Sequence, residues 1–117
     1  MKLPNVAHAI VAQGKIAAYL LKPDHAEGGS KARFFLRFGF TITEWEIMAA
    51  AFHAHAITNE VETEQVVPNG MKYTVVGALH TPDGRAPLVR SVWQIDSGAT
   101  IPRFITAVPY RGVNRND

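Results

Sequence analysis

The hydrophobic period of this chain changes once, near Asn59. Before that point apolar residues recur every three or four positions, which lines one face of a helix. After it they alternate, as in a strand with one buried face. In "TITEWEIMAAAFHAHAI" (residues 41–57) Trp45, Met48, Ala49, Phe52 and Ala56 form one helical stripe, behind a capping-box pattern of Thr43 and Glu46. In "EVETEQVV" and "MKYTVVGAL" the alternation sets Tyr73, Val75 and Leu79 on one side, and the intervening "PNG" is a hairpin turn. After the turn "TPDGRAP", "LVRSVWQI" supplies a third strand, and after "DSGATIP", "RFITAV" supplies a fourth. Helices followed by strands build an α+β fold, here N-terminal helices packed on one face of a four-stranded antiparallel meander.

Two further segments belong to the helical half. "GKIAAYLLKP" reads as a short apolar helix closed by Pro23, and "DHAEGG" as the loop after it. A helix then begins after Ser30, runs through "KARFFLRF" and ends at Gly39. At about 100° per residue, Lys31 shares a side with Phe34, Phe35 and Phe38, while Arg33 and Arg37 point away. A lysine there either lays its stem along the rings and sends its ammonium to water, or holds its charge at a rim to meet an anion.

With 117 residues, 47% of them hydrophobic, the chain can bury one core without staples. A single α+β domain over residues 1–110 is expected, with a polar tail over 111–117 that frays. The absence of cysteine excludes a disulfide scaffold and a thiolate metal site, and fits a reducing compartment, so the cytoplasm is the expected location. Pro4, Asn5, His8 and Gln13 interrupt the N-terminal apolar run, which lacks a signal-peptide core, and no stretch approaches the roughly 20 apolar residues of a membrane span. The net charge of +2 conceals a split. From Phe38 to Met71 there are five acids, Glu44, Glu46, Glu60, Glu62 and Glu64, and no lysine or arginine. Beyond it Lys72, Arg85, Arg90, Arg103, Arg111 and Arg115 outnumber Asp83, Asp96 and Asp117. Arginine's planar fork suits phosphate or carboxylate, so a polyanionic partner fits the C-terminal half. The plainer alternative is a solvated sheet face with scattered arginines.

Walker-type glycine loops, His-Glu-x-x-His, Gly-x-Ser-x-Gly and the dinucleotide fingerprint are all missing from the sequence. His53 and His55 are about 200° apart on a helix, so they cannot chelate one ion. They are expected as surface histidines flanking the stripe, with no metal and no cofactor. His25 stands in the loop ahead of the Lys31 helix. Histidine titrates near neutrality, and a lysine at a helix start adds to the positive end of the dipole, a pairing that suits a phosphodiester. Among the strands, Arg90 lies between Leu88 and Val92 on one face, opposite Val89 and Trp93, and Thr106 shares a face with Phe104 and Val108. Thr106 either bonds nearby backbone, or joins Arg90 and Arg103 in holding an anion while His25 and Lys31 approach from the helical layer.

"KLPNVAHAIVAQGKIAAYLLKPDHAEGGSKARFFLRFGF", "GRAPLVRSVWQI" and "PRFITAVP" carry a resemblance. From Lys2 to Pro109 the chain resembles a small bacterial family, a domain of unknown function whose members carry a His, a Gly-rich loop, "sKArFF..lGF", a "vrtvW.i" strand and a closing "TAyP". The layout is also similar to the barnase, EndoU, colicin and RelE group of metal-independent ribonucleases, many of them toxins of toxin–antitoxin or secreted polymorphic systems. That resemblance implies an RNA substrate cut by its own 2′-hydroxyl, and an antitoxin or immunity protein as partner. It implies His25 as general acid or base, Lys31 and Arg90 as stabilisers of the phosphorane, and Thr106 as a ligand to a phosphate oxygen. Arg33, Arg85, Trp93, Arg103 and Tyr110 would line the RNA path. Val108 departs from the family aromatic in "TAyP", and Tyr110 shares its strand face if the strand continues beyond Pro109. A rival from another class is a non-catalytic protein-binding module that uses the basic sheet and the acidic stretch from Glu44 to Glu64. A third is a small-molecule binder with a pocket around Phe34, Phe38 and Trp93.

Overall fold

β1 (Val61–Val67), β2 (Gly70–Ala78), β3 (Leu88–Asp96) and β4 (Arg103–Pro109) pair antiparallel in sequence order, forming the meander that the alternation predicts. This is the arrangement in the computed structural model of the chain, which describes residues 1–22 and 29–110. Gly70 closes the β1–β2 hairpin at φ 146°, and a Cβ there would overlap the Ile95 carbonyl of β3. Glycine is thus required both by the backbone angle and by the close approach of the third strand. The inner face of the sheet buries Tyr73, Val75, Val89, Trp93, Phe104 and Ala107.

Three helical segments cover that face. α1 (Gln13–Lys15) widens at once into a π-type turn over Ile16–Leu20. α2 spans Gly29–Leu36 and α3 spans Trp45–Thr58. An α-helix ending at Pro23 was the expectation for the first. Instead the Leu21 N–H donates to Ile16 O at 2.8 Å. In an α-helix Ile16 and Leu21 would lie about 140° apart, and the wider turn closes that spread. Ile16, Leu20 and Leu21 are all buried as a result. Pro23, the loop at 24–28 and the tail at 111–117 lie outside the described residues.

α3 buries Met48, Phe52 and Ala56 of its expected stripe, with Trp45 and Ala49 half-buried. Its capping box does not form, since the helix starts at Trp45 and the Glu44 N–H donates to the Thr41 hydroxyl one step earlier. The core is threaded by aromatic contacts that cross from layer to layer. Phe35 meets Phe52 (centroids 5.9 Å apart), Phe52 meets Phe104 (4.7 Å), and Phe104 meets Trp93 (5.3 Å). Each such pair adds about 0.5–1.5 kcal/mol to the burial of its rings. No helix among the described residues is long and apolar enough to cross a membrane.

His55 departs from its expected surface position, being only 2% exposed. Its place in the core follows from a complete run of hydrogen bonds. Trp93 Nε1–H donates to Ser91 Oγ (2.9 Å). The Ser91 hydroxyl donates to His55 Nδ1 (3.0 Å), and His55 Nε2–H donates to the Gly77 carbonyl (3.0 Å). A carbonyl can only accept, so Nε2 carries the proton and Nδ1 must receive one. The polar atoms of α3, β2 and β3 satisfy one another, as burial demands.

Burial pushes the His55 pKa below its usual 6.5, against the opposing pull of the Gly77 and Val89 carbonyls. The folded state therefore holds His55 neutral. Its contribution is intact above the unfolded value and is lost as pH falls from 6.5 through the folded pKa. Denaturation monitored between pH 8 and 5 (roughly the range over which His charge changes) should show stability declining below the unfolded pKa, and His55→Leu should flatten that decline. Ser91→Ala, which strips two buried groups of their partner, should cost about 1–3 kcal/mol. Phe52→Ala should cost about 3–5 kcal/mol.

Candidate functional site

Lys31 resolves the question raised by its place among phenylalanines. Its stem lies half-buried along the aromatic side of α2. The ammonium donates to Tyr19 Oη at 3.0 Å and to Thr106 Oγ1 at 3.1 Å, and it sits 5.3 Å from the Tyr19 ring centroid. One lysine thus joins α2, the π-type turn and the edge strand β4. Both partners are neutral hydroxyls, so they satisfy hydrogen-bonding capacity without cancelling the positive charge.

Thr106 reaches this position through a β-bulge. Trp93 pairs with Phe104 but Val92 pairs with Thr106, so Ile105 is the extra residue. The insertion reverses the side-chain phase of β4. Thr106 and Val108 consequently lie on the face opposite Phe104, whereas simple alternation places all three together. That outer face is the one that carries Arg90, which pairs directly with Val108.

Arg90 is already engaged by an acid. Its Nε and Nη2 donate to the two carboxylate oxygens of Glu62, both at 2.8 Å. Glu62 sits in the bulge of β1 and also accepts from Thr74 Oγ1 at 2.9 Å, and Thr74 in turn meets Thr63 at 2.6 Å. The hydrogen bond from Arg90 holds the Glu62 carboxyl below its usual 4.5, and Glu62 raises Arg90 in return. The guanidinium stacks 5.0 Å from the Tyr110 ring centroid. Tyr110 is brought there because its N–H donates to Leu88 O at 3.0 Å, which carries the β4 pairing one residue beyond Pro109.

The remaining candidates are dispersed. Arg103 shares the outer face with Arg90 but pairs with Asp96, through bonds of 2.8 and 3.1 Å. Arg85 belongs to the β2–β3 connection, where it pairs with Asp83 at 2.6 Å, donates to Arg37 O and lies 4.3 Å from the Phe38 centroid. That set of contacts ties the loop to the end of α2. Arg33 is exposed on α2. Trp93 is fully buried, with its indole spent on Ser91 and its ring packed on Phe104, so it has no face on which a base could stack. The pocket around Phe34, Phe38 and Trp93 does not form either. Phe34 and Phe38 pack on each other at 5.0 Å beneath Arg37 and Arg85, and the described residues enclose no pocket. His53 bonds Val6 O at 2.7 Å, well separated in role from His55. His25 lies outside the described residues.

Two residues of this surface escape sequence reasoning. Tyr19 had one signal, a single hydroxyl in the otherwise aliphatic "IAAYLL". Glu62 had none, because its position depends on a bulge that no residue pattern announces.

Fold and site define a class, an α+β domain whose meander presents an open, cation-bearing outer face beside its edge strand. Residues 2–111 match the family described as "Domain of unknown function (DUF6883)", and the chain belongs to it. No curated protein matches the chain. Among solved structures the fold is similar to a chain of the "Contact-dependent growth inhibition toxin - immunity protein complex from Klebsiella pneumoniae 342". The TM-score is 0.68 at 18% identity, over 86% of this chain and 99% of that one. At that identity the likeness is one of fold.

Thr106→Val keeps the shape and removes the hydroxyl, and should lower stability by about 0.5–1.5 kcal/mol, seen as a lower urea midpoint with an unchanged slope. A double-mutant cycle on Glu62→Gln and Arg90→Gln should give a coupling of only about 0.5–1 kcal/mol, because water reaches both side chains. The depressed Glu62 carboxyl makes that coupling complete above its unfolded pKa of 4.5 and lost as pH falls below it.

Proposed function

We propose that this protein is a toxin-like, metal-independent endoribonuclease. The observation that carries the reading is the placement of Lys31 against Thr106 at 3.1 Å, on the edge strand β4, whose outer face continues to Tyr110 and adjoins Arg90 of β3. Cation, hydroxyl, guanidinium and aromatic ring are the groups that a phosphodiester with a neighbouring base engages. The fold likeness to a chain of a toxin–immunity protein complex adds support.

In this reading the RNA 2′-oxygen attacks phosphorus, the bond to the 5′-oxygen breaks, and a 2′,3′-cyclic phosphate and a 5′-hydroxyl result. One proton leaves the 2′-hydroxyl and one arrives at the departing 5′-oxygen, with His25 as general acid or base. Lys31 and Arg90 meet the charge that builds on the phosphorane, and Thr106 donates to a phosphate oxygen. Arg90 has Nη1 for this purpose, the guanidinium nitrogen not engaged with Glu62. Tyr110, Arg103, Arg33 and Arg85 extend the path for the strand. Its place of action is the cytoplasm, where RNA is the substrate.

Purified protein incubated with total RNA in EDTA should leave 2′,3′-cyclic phosphate ends. His25→Ala and Arg90→Ala should each slow cleavage by roughly 10²- to 10⁴-fold, with circular dichroism verifying the fold. Unchanged cleavage by a folded His25→Ala, Lys31→Ala double variant would overturn the assigned roles.

A second reading is a protein-binding module whose partner is an immunity protein or antitoxin. It is favoured by the neighbour's occurrence in a two-protein complex, and by the acidic run from Glu44 to Glu64. Phosphate contacts weaken steeply with salt, whereas an apolar protein interface does so far less, so the salt dependence of binding separates the two.

A further inference from the structure

α3 carries no Asp, Glu, Lys or Arg between Glu46 and Glu60, although one side of it is open to solvent. Met48, Phe52, His55 and Ala56 face the core. On the other side Ile47 is 48% exposed and Ile57 44% exposed, with Ala50 exposed and Ala54 half-buried between them. At about 100° per residue these four side chains fall within an arc of about 80°. Helices that are apolar all round are ordinarily covered all round, and an exposed apolar strip of this kind marks an interface.

The order of residues on that strip says what covers it. Ile47, Ala50, Ala54 and Ile57 are spaced by three, four and three residues, a pattern that reads the same in both directions. Laid antiparallel on a second copy, Ile47 meets Ile57 of that copy and Ala50 meets its Ala54. The alanines then lie where the helices approach most closely and the isoleucines close both ends, which is the self-complementarity a two-fold interface requires. The charges at the ends agree with the same orientation. Glu44 and Glu46 flank the N-terminal end. Beside the other end Lys2 lies 3.4 Å from Glu60, so the charges there balance. Parallel pairing would set Glu44 and Glu46 against their own copies, whereas antiparallel pairing sets them beside Lys2.

We infer that α3 is the surface through which two copies of this chain associate, antiparallel helix on helix about a two-fold axis that passes between Ala50 and Ala54. The strip belongs to the helical layer, on the opposite side of the sheet from Arg90 and Thr106, and the inference does not rest on the ribonuclease reading.

Sedimentation velocity over a micromolar to near-millimolar series should show the mass rising from the 12.8 kDa monomer toward twice that value. Ala50→Glu lies at an exposed helical site and should remain monomeric throughout with an unchanged melting curve. Lys2→Glu should weaken association roughly tenfold through the end charges. Because the chain has no cysteine, an oxidised mixture of Ala50→Cys and Ala54→Cys variants should yield a disulfide dimer in preference to either variant alone, which fixes the register. A wild type that stays monomeric across the series overturns the inference, as does an Ala50→Glu variant that dimerises normally. A monomer that instead captures a different protein through Ile47 and Ile57 overturns it equally.

Discussion

Phe52 is the contact on which the remaining geometry depends. It projects from the middle of α3 and touches Phe35 of α2 on one side and Phe104 of β4 on the other, and Phe104 continues to Trp93 of β3. The aromatic series fixes the height of α2 above the edge strand, and that height decides whether Lys31 can reach Thr106. A buried ring is therefore responsible for the position of an ammonium on the surface. The second anchor of α3, His55 on Ser91 and Gly77, sets its rotation through directed bonds rather than through volume.

The outer face owes its character to two irregularities. Without the bulge at Ile105, Thr106 would face the core beside Phe104, and the hydroxyl that holds Lys31 would be buried. Without the bulge of β1, Glu62 would not lie across from Arg90 with Thr74 beneath it. Both bulges are on edge strands, where an unpaired residue costs the ladder least and a side chain can be re-aimed. The result is a surface on which Arg90 is oriented by Glu62 and by the Tyr110 ring, while Lys31 is oriented by hydroxyls that leave its charge intact.

Most of the fold could be read from the sequence, because it follows from periodicity. The four strands, their order and the core stripe of α3 all come from alternation and helical spacing, which burial enforces residue by residue. The failures are equally physical. His55 looked like a surface residue because histidine is polar, but a serine and a carbonyl were waiting for both ring nitrogens. Trp93, which the family resemblance sets along an RNA path, falls on the inner phase of β3 and is fully buried with its indole N–H on Ser91. Thr106 lies on the face opposite to the one that alternation assigns to it, since a bulge shifts phase without leaving a mark in composition. Lys31 was recognisable from its position among phenylalanines, yet its partner Tyr19 is distant from Thr106 in sequence and adjacent to it only through packing.

The central claim is that the β3–β4 outer face receives an RNA phosphate between Lys31, Thr106 and Arg90. The most direct measurement is an amide chemical-shift titration of the protein with a single-stranded oligonucleotide that carries 2′-deoxy positions, which can bind but cannot be cut by its own sugar. The account predicts shifts that centre on Arg90, Thr106, Val108 and Tyr110 and shrink as salt is raised. Shifts confined to other surfaces, or none at low salt, would contradict it.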